Sequence, residues 1–138
     1  MREKIIIDTD PAIGVFGRDI DDGLAIALAL NSPELEVLGL TITHGNVSVE
    51  TGIKCAHRLL NALGRDDVPV YKGAASARDL GKKTEASDFI AGHLSSSAGK
   101  VSIAAIGPLT NISTVEKLNP GILSSVKRTV CMGGAVRV

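Results

Sequence analysis

Short apolar runs rich in β-branched residues alternate along the chain with stretches of helical period. "KIIID" (Lys4–Asp8) is continuous and apolar, the pattern of a strand covered on both faces. "LEVLGLTIT" (Leu35–Thr43), "VPVY" (Val68–Tyr71), "VSIAAI" (Val101–Ile106) and "VKRTVCM" (Val126–Met132) read as further strands. Helices are predicted over Asp21–Leu30, from a Ser48 cap to about Leu63, over Glu85–Ser96 and near Leu109–Leu118. Asp21 and Asp22 open the first of these and Glu50 the second, where the helix dipole favours negative charge. Residues 74–84 are polar and rich in glycine and lysine, and read as a loop. Strands joined by helix-length crossovers predict an α/β fold: a mostly parallel, Rossmann-like open sheet with helices on both faces, in one domain over residues 1–138.

That order has a functional consequence. Ligands of open α/β sheets bind outside the carboxyl ends of the strands. The least ordinary segments all fall there: Asp8–Asp10 after the first strand, "THGN" after the second, "IGPLTN" after the fourth and "MGGA" after the last. Four distant segments are therefore expected to meet on one rim.

Composition narrows the partners. The chain has 138 residues, 44% of them hydrophobic, enough for a core. Fifteen basic and fifteen acidic side chains cancel, and no Lys/Arg run exceeds two, so a nucleic-acid partner is not expected. The three aromatics, Phe16, Tyr71 and Phe89, are scattered. No apolar run approaches the ~18 residues of a membrane span and no signal-type segment opens the chain, so a soluble, cytoplasmic protein without a membrane partner is expected. The sequons at Asn46 and Asn111 then read as chance matches. Cys55 and Cys131, without metal or redox spacing, read as two buried free thiols.

Charge patterning raises the main question. Asp8, Asp10, Asp19, Asp21 and Asp22 crowd one stretch in which Arg18 is the one nearby base. Carboxylates repel one another and are costly to bury unless something positive pairs with them. A capped turn with solvated acids would explain "DTD" alone. The helix that starts at Asp21 returns two more acids toward the same strand end, which points to a divalent cation. All-oxygen ligation selects Ca²⁺ or Mg²⁺, with a slight preference for calcium.

"IIIDTDPA…IDDGLAIALAL", "LGLTITHGNVSVE", "VPVYKGAA", "AIGPLTNI" and "VCMGGA" together resemble the inosine–uridine-preferring nucleoside hydrolase family, in order and over nearly the whole chain. The resemblance implies hydrolysis of the N-glycosidic bond of ribonucleosides, to free base and ribose, with bound Ca²⁺. It implies that Asp10 ligates calcium and is general base on the metal-bound water, that Asp22 ligates calcium bidentately, and that Ile106 contributes its main-chain carbonyl. It further implies that Asp21 and Asn46 hydrogen-bond the ribose, that Met132 packs near the sugar and that Asp8 supports the site from behind. Such a site would activate water and stabilise an oxocarbenium-like sugar as the base departs. His44, before Gly45–Asn46, reads as a local hydrogen-bonding residue; His57 and His93 read as structural or solvent-facing helical residues.

Three departures from the family pattern stand out. "AIGVFGRDI" separates Pro11 from Asp21, which makes Asp19 a rival to Asp21 and Asp22, and its Gly14 and Gly17 suggest a bulged loop near the site. The segment after the third strand is short. The chain is also about half the family's length, so it is expected to be the N-terminal half of a hydrolase, inactive or very slow by itself, and to self-associate or pair with a complementing C-terminal polypeptide. A non-catalytic metal- or ribose-binding subunit is the alternative. A phosphatase of the haloacid dehalogenase type shares the D-x-D after a strand, but Ala12 stands where it needs Thr or Val.

Overall fold

Neighbouring residues of a strand face opposite ways, and β1 (Glu3–Thr9) uses this to anchor two cores. Ile7 points into one, with Leu40 and Ile42 of β2 (Leu35–Ile42), Ile26 of α1 (Asp21–Asn31) and Val49, Ala56 and Leu60 of α2 (Val49–Ala62). Ile6 points into the other. There it meets Ile90 and Leu94 of α3 (Glu85–Ser96), Ile103 and Ala105 of β4 (Val101–Ala105), and Ile112 and Val115 of α4 (Thr110–Leu118). Burial on both faces is why these strands are continuously apolar. The computed structural model describes Met1–Gly134, so Ala135 of "MGGA" lies outside the described residues.

With β3 (Val70–Lys72) and β5 (Arg128–Cys131), the strands form one all-parallel sheet in the order β3-β2-β1-β4-β5. The expected α/β class holds. The chain moves outward from β1 through β2 to β3, then returns across the sheet to β4 and β5. Chain direction therefore reverses between β1 and β4, which opens a crevice at their carboxyl ends. In register, Asp8 lies between Thr41 of β2 and Ala105 of β4.

Most boundaries fall within a residue or two of expectation. Ser48 caps α2 by accepting from the Thr51 N–H (3.3 Å). Thr84 caps α3 in the same way, with Ser87 returning the bond. α1 has no side-chain cap, but Asp21 and Asp22 do occupy its first turn. The loop at 74–84 contains a short 3₁₀ turn, Ala77–Asp79. The last strand, Arg128–Cys131, is shorter than the expected Val126–Met132, and a second 3₁₀ turn, Ile122–Ser125, precedes it. No helix among the described residues is long and apolar enough to cross a membrane.

Cys131 requires a correction. It is exposed, whereas Cys55 is buried in α2 as expected. β5 pairs with β4 at the edge of the sheet, and all four of its residues are open to solvent. A strand-like pattern does not reveal whether the strand will be central or at an edge. The two thiols should therefore separate in reactivity: an aromatic disulfide reagent titrates Cys131 rapidly in the native protein, and Cys55, whose thiol pKa burial raises, only on unfolding. Absorbance against time should show one fast equivalent, and that equivalent should vanish in Cys131→Ser.

Candidate active site

The end of β1 is built around a carboxylate that water does not reach. Asp8 is fully buried. Its Oδ1 accepts from Thr41 Oγ1 (2.6 Å) and from Asn111 Nδ2 (2.9 Å), while Oδ2 has no hydrogen-bond partner. Burial is the largest cause pushing its pKa up to about 7; the two hydrogen bonds oppose it, and the charges of Asp10 and Asp22 add to it. Asn111, in the first turn of α4, also reaches the Ile42 carbonyl (3.3 Å), and its Oδ1 accepts from Ala74 N (2.8 Å). One amide side chain thus fastens α4 to the ends of β1 and β2 and to the segment after β3. Gly73 makes room for it, since a Cβ there would lie 2.3 Å from Asn111 Nδ2.

Asp10 follows, nearly buried at the mouth of the crevice. Its Oδ2 accepts from the main-chain N–H of Asn46 (2.7 Å). Two glycines clamp the carboxylate. A Cβ on Gly45 would fall 2.0 Å from Oδ2, and one on Gly107 would fall 2.8 Å from Oδ1. The glycines of "HGN" and "IGP" are therefore demanded by close approach to one side chain. Asp22 comes in from α1: its Oδ2 accepts from the Asp10 N–H (2.9 Å) and from the Thr9 hydroxyl. Burial, chiefly, and then the neighbouring Asp22 charge push the Asp10 pKa up to about 6, against the Asn46 hydrogen bond.

The other expected residues separate into two groups. Asp19, Asp21, Asn46, Ile106 and Met132 join Asp10 in lining a cavity of about 490 Å³, with Leu109 and Cys131 also on its wall. Asp8 and Asp22 lie behind that wall, buried. Segments after β1, β2, β4 and β5 do meet on one rim. The cavity accepts both Asp19 and Asp21, so the rivalry between them is not one of position. His44, expected to bond locally, instead reaches α4, with Nε2 3.0 Å from Thr110 Oγ1. A cleft of about 520 Å³ opens at the opposite, amino end of the strands, but Arg65 there is already bonded to Asp67 (2.8 and 3.0 Å).

Sequence reasoning missed three residues. Asn111 was legible only as a chance sequon, and Thr9 and Thr41 as ordinary strand positions. The available signal was polar character at positions whose period places them inside.

The donor set suits a hard cation. Asp10 and Asp22 bring adjacent carboxylates, and no Lys, Arg or His forms a salt bridge with either among the described residues. The set is partial: among the described residues no three His, Cys, Asp or Glu side chains form a metal-holding group.

A parallel sheet with an acidic crevice at its topological switch point defines an α/β protein whose ligand site is formed by strand ends. A profile of the family "Inosine-uridine preferring nucleoside hydrolase" matches residues 5–138, and the chain belongs to that family. It is 34% identical over 164 aligned residues to "Probable uridine nucleosidase 2" of Arabidopsis thaliana, covering 99% of this chain and 49% of that protein. It is 32% identical to "Pyrimidine-specific ribonucleoside hydrolase RihA" of Escherichia coli, with coverage of 99% and 50%. Among solved structures it superposes on "Plant nucleoside hydrolase - PpNRh1 enzyme" with a TM-score of 0.85 at 33% identity, covering 98% of this chain and 49% of that one. It superposes on the purine-preferring ribonucleoside hydrolase from Gardnerella vaginalis with a TM-score of 0.82 at 30% identity, covering 96% and 49%. The chain spans about half the length of the curated relatives it matches.

The Asn111 network and the Asn46 contact should differ sharply on mutation. Asn111→Ala removes three buried hydrogen bonds, taking the partner from the Ala74 N–H and leaving Asp8 Oδ1 with Thr41 alone, and should cost about 1–3 kcal/mol of stability. Asn46→Ala keeps the main-chain N–H that bonds Asp10, and should stay within about 0.5 kcal/mol of the parent. Urea midpoints at constant m-value give both numbers.

Proposed function

We propose that this chain forms the water-activating and ribose-binding side of a ribonucleoside hydrolase, which cleaves the N-glycosidic bond to release free base and ribose. The observation that carries the reading is the pair Asp10–Asp22 at the β1 carboxyl end, set in a chain that belongs to this family. The names of its relatives, a uridine nucleosidase and a pyrimidine-specific hydrolase among them, support the substrate class.

Asp10, Asp22 and the Ile106 main-chain carbonyl would hold the cation, calcium on this reading. When bound, calcium supplies Lewis acidity that makes water a stronger nucleophile near neutral pH. Asp10 is the general base: its carboxylate faces the cavity, held by the Asn46 N–H and two glycines, and takes the proton of the attacking water. Asp22 aligns Asp10 by accepting its main-chain N–H, and Thr9 fixes Asp22 in turn. Asp21 and the Asn46 side chain, on the cavity wall, take ribose hydroxyls as hydrogen-bond partners. A carboxylate beside the sugar also stabilises the positive charge that builds up as the base leaves. Met132 offers the sugar an apolar wall. Asp8 sets the strand end from behind.

Partners follow from the open side of the sheet. β5 exposes its outer edge and the apolar side chain of Val130, an arrangement that invites pairing with another strand. A second copy or a complementing polypeptide is the partner this reading assigns to that edge, in a cytoplasmic setting.

Calcium binding tests the reading without requiring turnover. Calcium should raise the melting temperature by mass action, worth about 2.7 kcal/mol at a hundredfold excess over Kd, and ribose should raise it further. Asp10→Asn should lose most of the calcium shift. Gly107→Ala, which removes no charge but places a Cβ 2.8 Å from Asp10 Oδ1, should blunt it. A parent melting curve unmoved by millimolar calcium, or an Asp10→Asn protein that responds like the parent, overturns the proposal.

A further inference from the structure

The two loops that bracket Asp10 leave different strands, and the sheet does not join them. Residues 44–47 follow β2: the Asn46 N–H bonds Asp10 Oδ2, and Gly45 leaves room for that oxygen. Residues 106–109 follow β4 and lead into α4, with Gly107 packed against Asp10 Oδ1. β1 lies between β2 and β4, so no ladder bond ties one loop to the other. Such loops belong to the low-stability end of a fold and open more readily than the strands they leave. Here they touch, since a Cβ on Gly45 would lie 3.1 Å from Pro108 Cδ.

His44 fastens them. Its Nε2 is 3.0 Å from Thr110 Oγ1, a contact across 66 residues of sequence. Its main-chain N–H bonds the Ala74 carbonyl (3.0 Å), which fixes the root from which the ring reaches. No other hydrogen bond among the described residues joins 44–47 to 106–110. Asn111, one residue on, bonds Asp8 and Ile42 at the strand ends and leaves 44–47 to His44. The imidazole lines no part of the cavity, so it serves the site only through its neighbours.

We propose that His44 is a positioning residue for cation binding: its bond to Thr110 latches the two loops together and fixes Asp10 relative to the Ile106 main-chain carbonyl. This rests on the reading above, in which Asp10 and Ile106 help to hold a cation. Asp10 takes its orientation from 44–47 through the Asn46 N–H, whereas Ile106 belongs to the other loop. A cation held by both needs the two loops in place at once, and ligands already in place give up less freedom on binding. Without the latch the loops are free to part, and some of the binding free energy is used to bring them back.

Isothermal calorimetry with calcium alone on the 138-residue chain tests the latch. His44→Ala should weaken calcium about three- to tenfold, the range that one neutral hydrogen bond supplies. His44→Gln can place an amide group near the position of Nε2, and should bind within about twofold of the parent. Thr110→Val removes the hydroxyl with little change of shape and should match His44→Ala. The double variant should be no weaker than either single one, because both substitutions remove the same bond. Thr110→Val also carries the test if His44→Ala does not fold. A bond that serves stability alone would give His44→Ala a lower urea midpoint with unchanged calcium affinity, and that result overturns the proposal. Additive weakening in the double variant overturns it too, as does a His44→Gln protein as weak as His44→Ala. If the parent itself binds no calcium, the cation reading of Asp10 falls, and the role of His44 falls with it.

Discussion

The Asp8 carboxylate, buried at the end of the central strand, is the point to which the surrounding segments are tied. A carboxylate in that position must be hydrogen-bonded or it destabilises the fold. Its partners come from far along the chain: Thr41 from β2 and Asn111 from α4. Asn111 then extends the connection to Ile42 and Ala74. A polar demand at one residue thus holds the carboxyl ends of the strands in fixed relation, and the cavity is the space between them.

Asp10 shows how that rigidity reaches the crevice. Its two oxygens are bracketed by glycines on separate loops, and its own N–H is held by Asp22, which Thr9 holds in turn. Such an arrangement leaves a carboxylate little freedom to turn away from its like-charged neighbour. Burial and then repulsion from Asp22 raise the Asp10 pKa, and the cation proposed above would relieve the repulsion. The reversal of chain direction between β1 and β4 provides the opening in which it works.

The elements were readable because each depends on local pattern. Ile5–Ile7 is apolar without interruption because both faces of β1 are covered, and Ser48 announces a helix start by a side-chain bond three residues long. Readings that depended on distant neighbours were less complete. Cys131 sits in a strand-like run, yet β5 is an edge strand and the thiol faces solvent. Asn111 looked like a stray sequon, although its contacts span 37, 69 and 103 residues of sequence separation.

For this protein the sequence by itself determined the α/β class, the family and the set of acids at the first strand end, since period, turn residues and motif order are written locally. Tertiary structure decided how those acids divide. Asp8 and Asp22 are buried, Asp10 sits at the mouth, and Asp19 and Asp21 share the wall, although all five were alike as letters. The physical reason is that burial, hydrogen-bond partners and the close approach of Gly45 and Gly107 all arise only when segments separated by tens of residues meet. Until they meet, each aspartate is a solvated charge like the next.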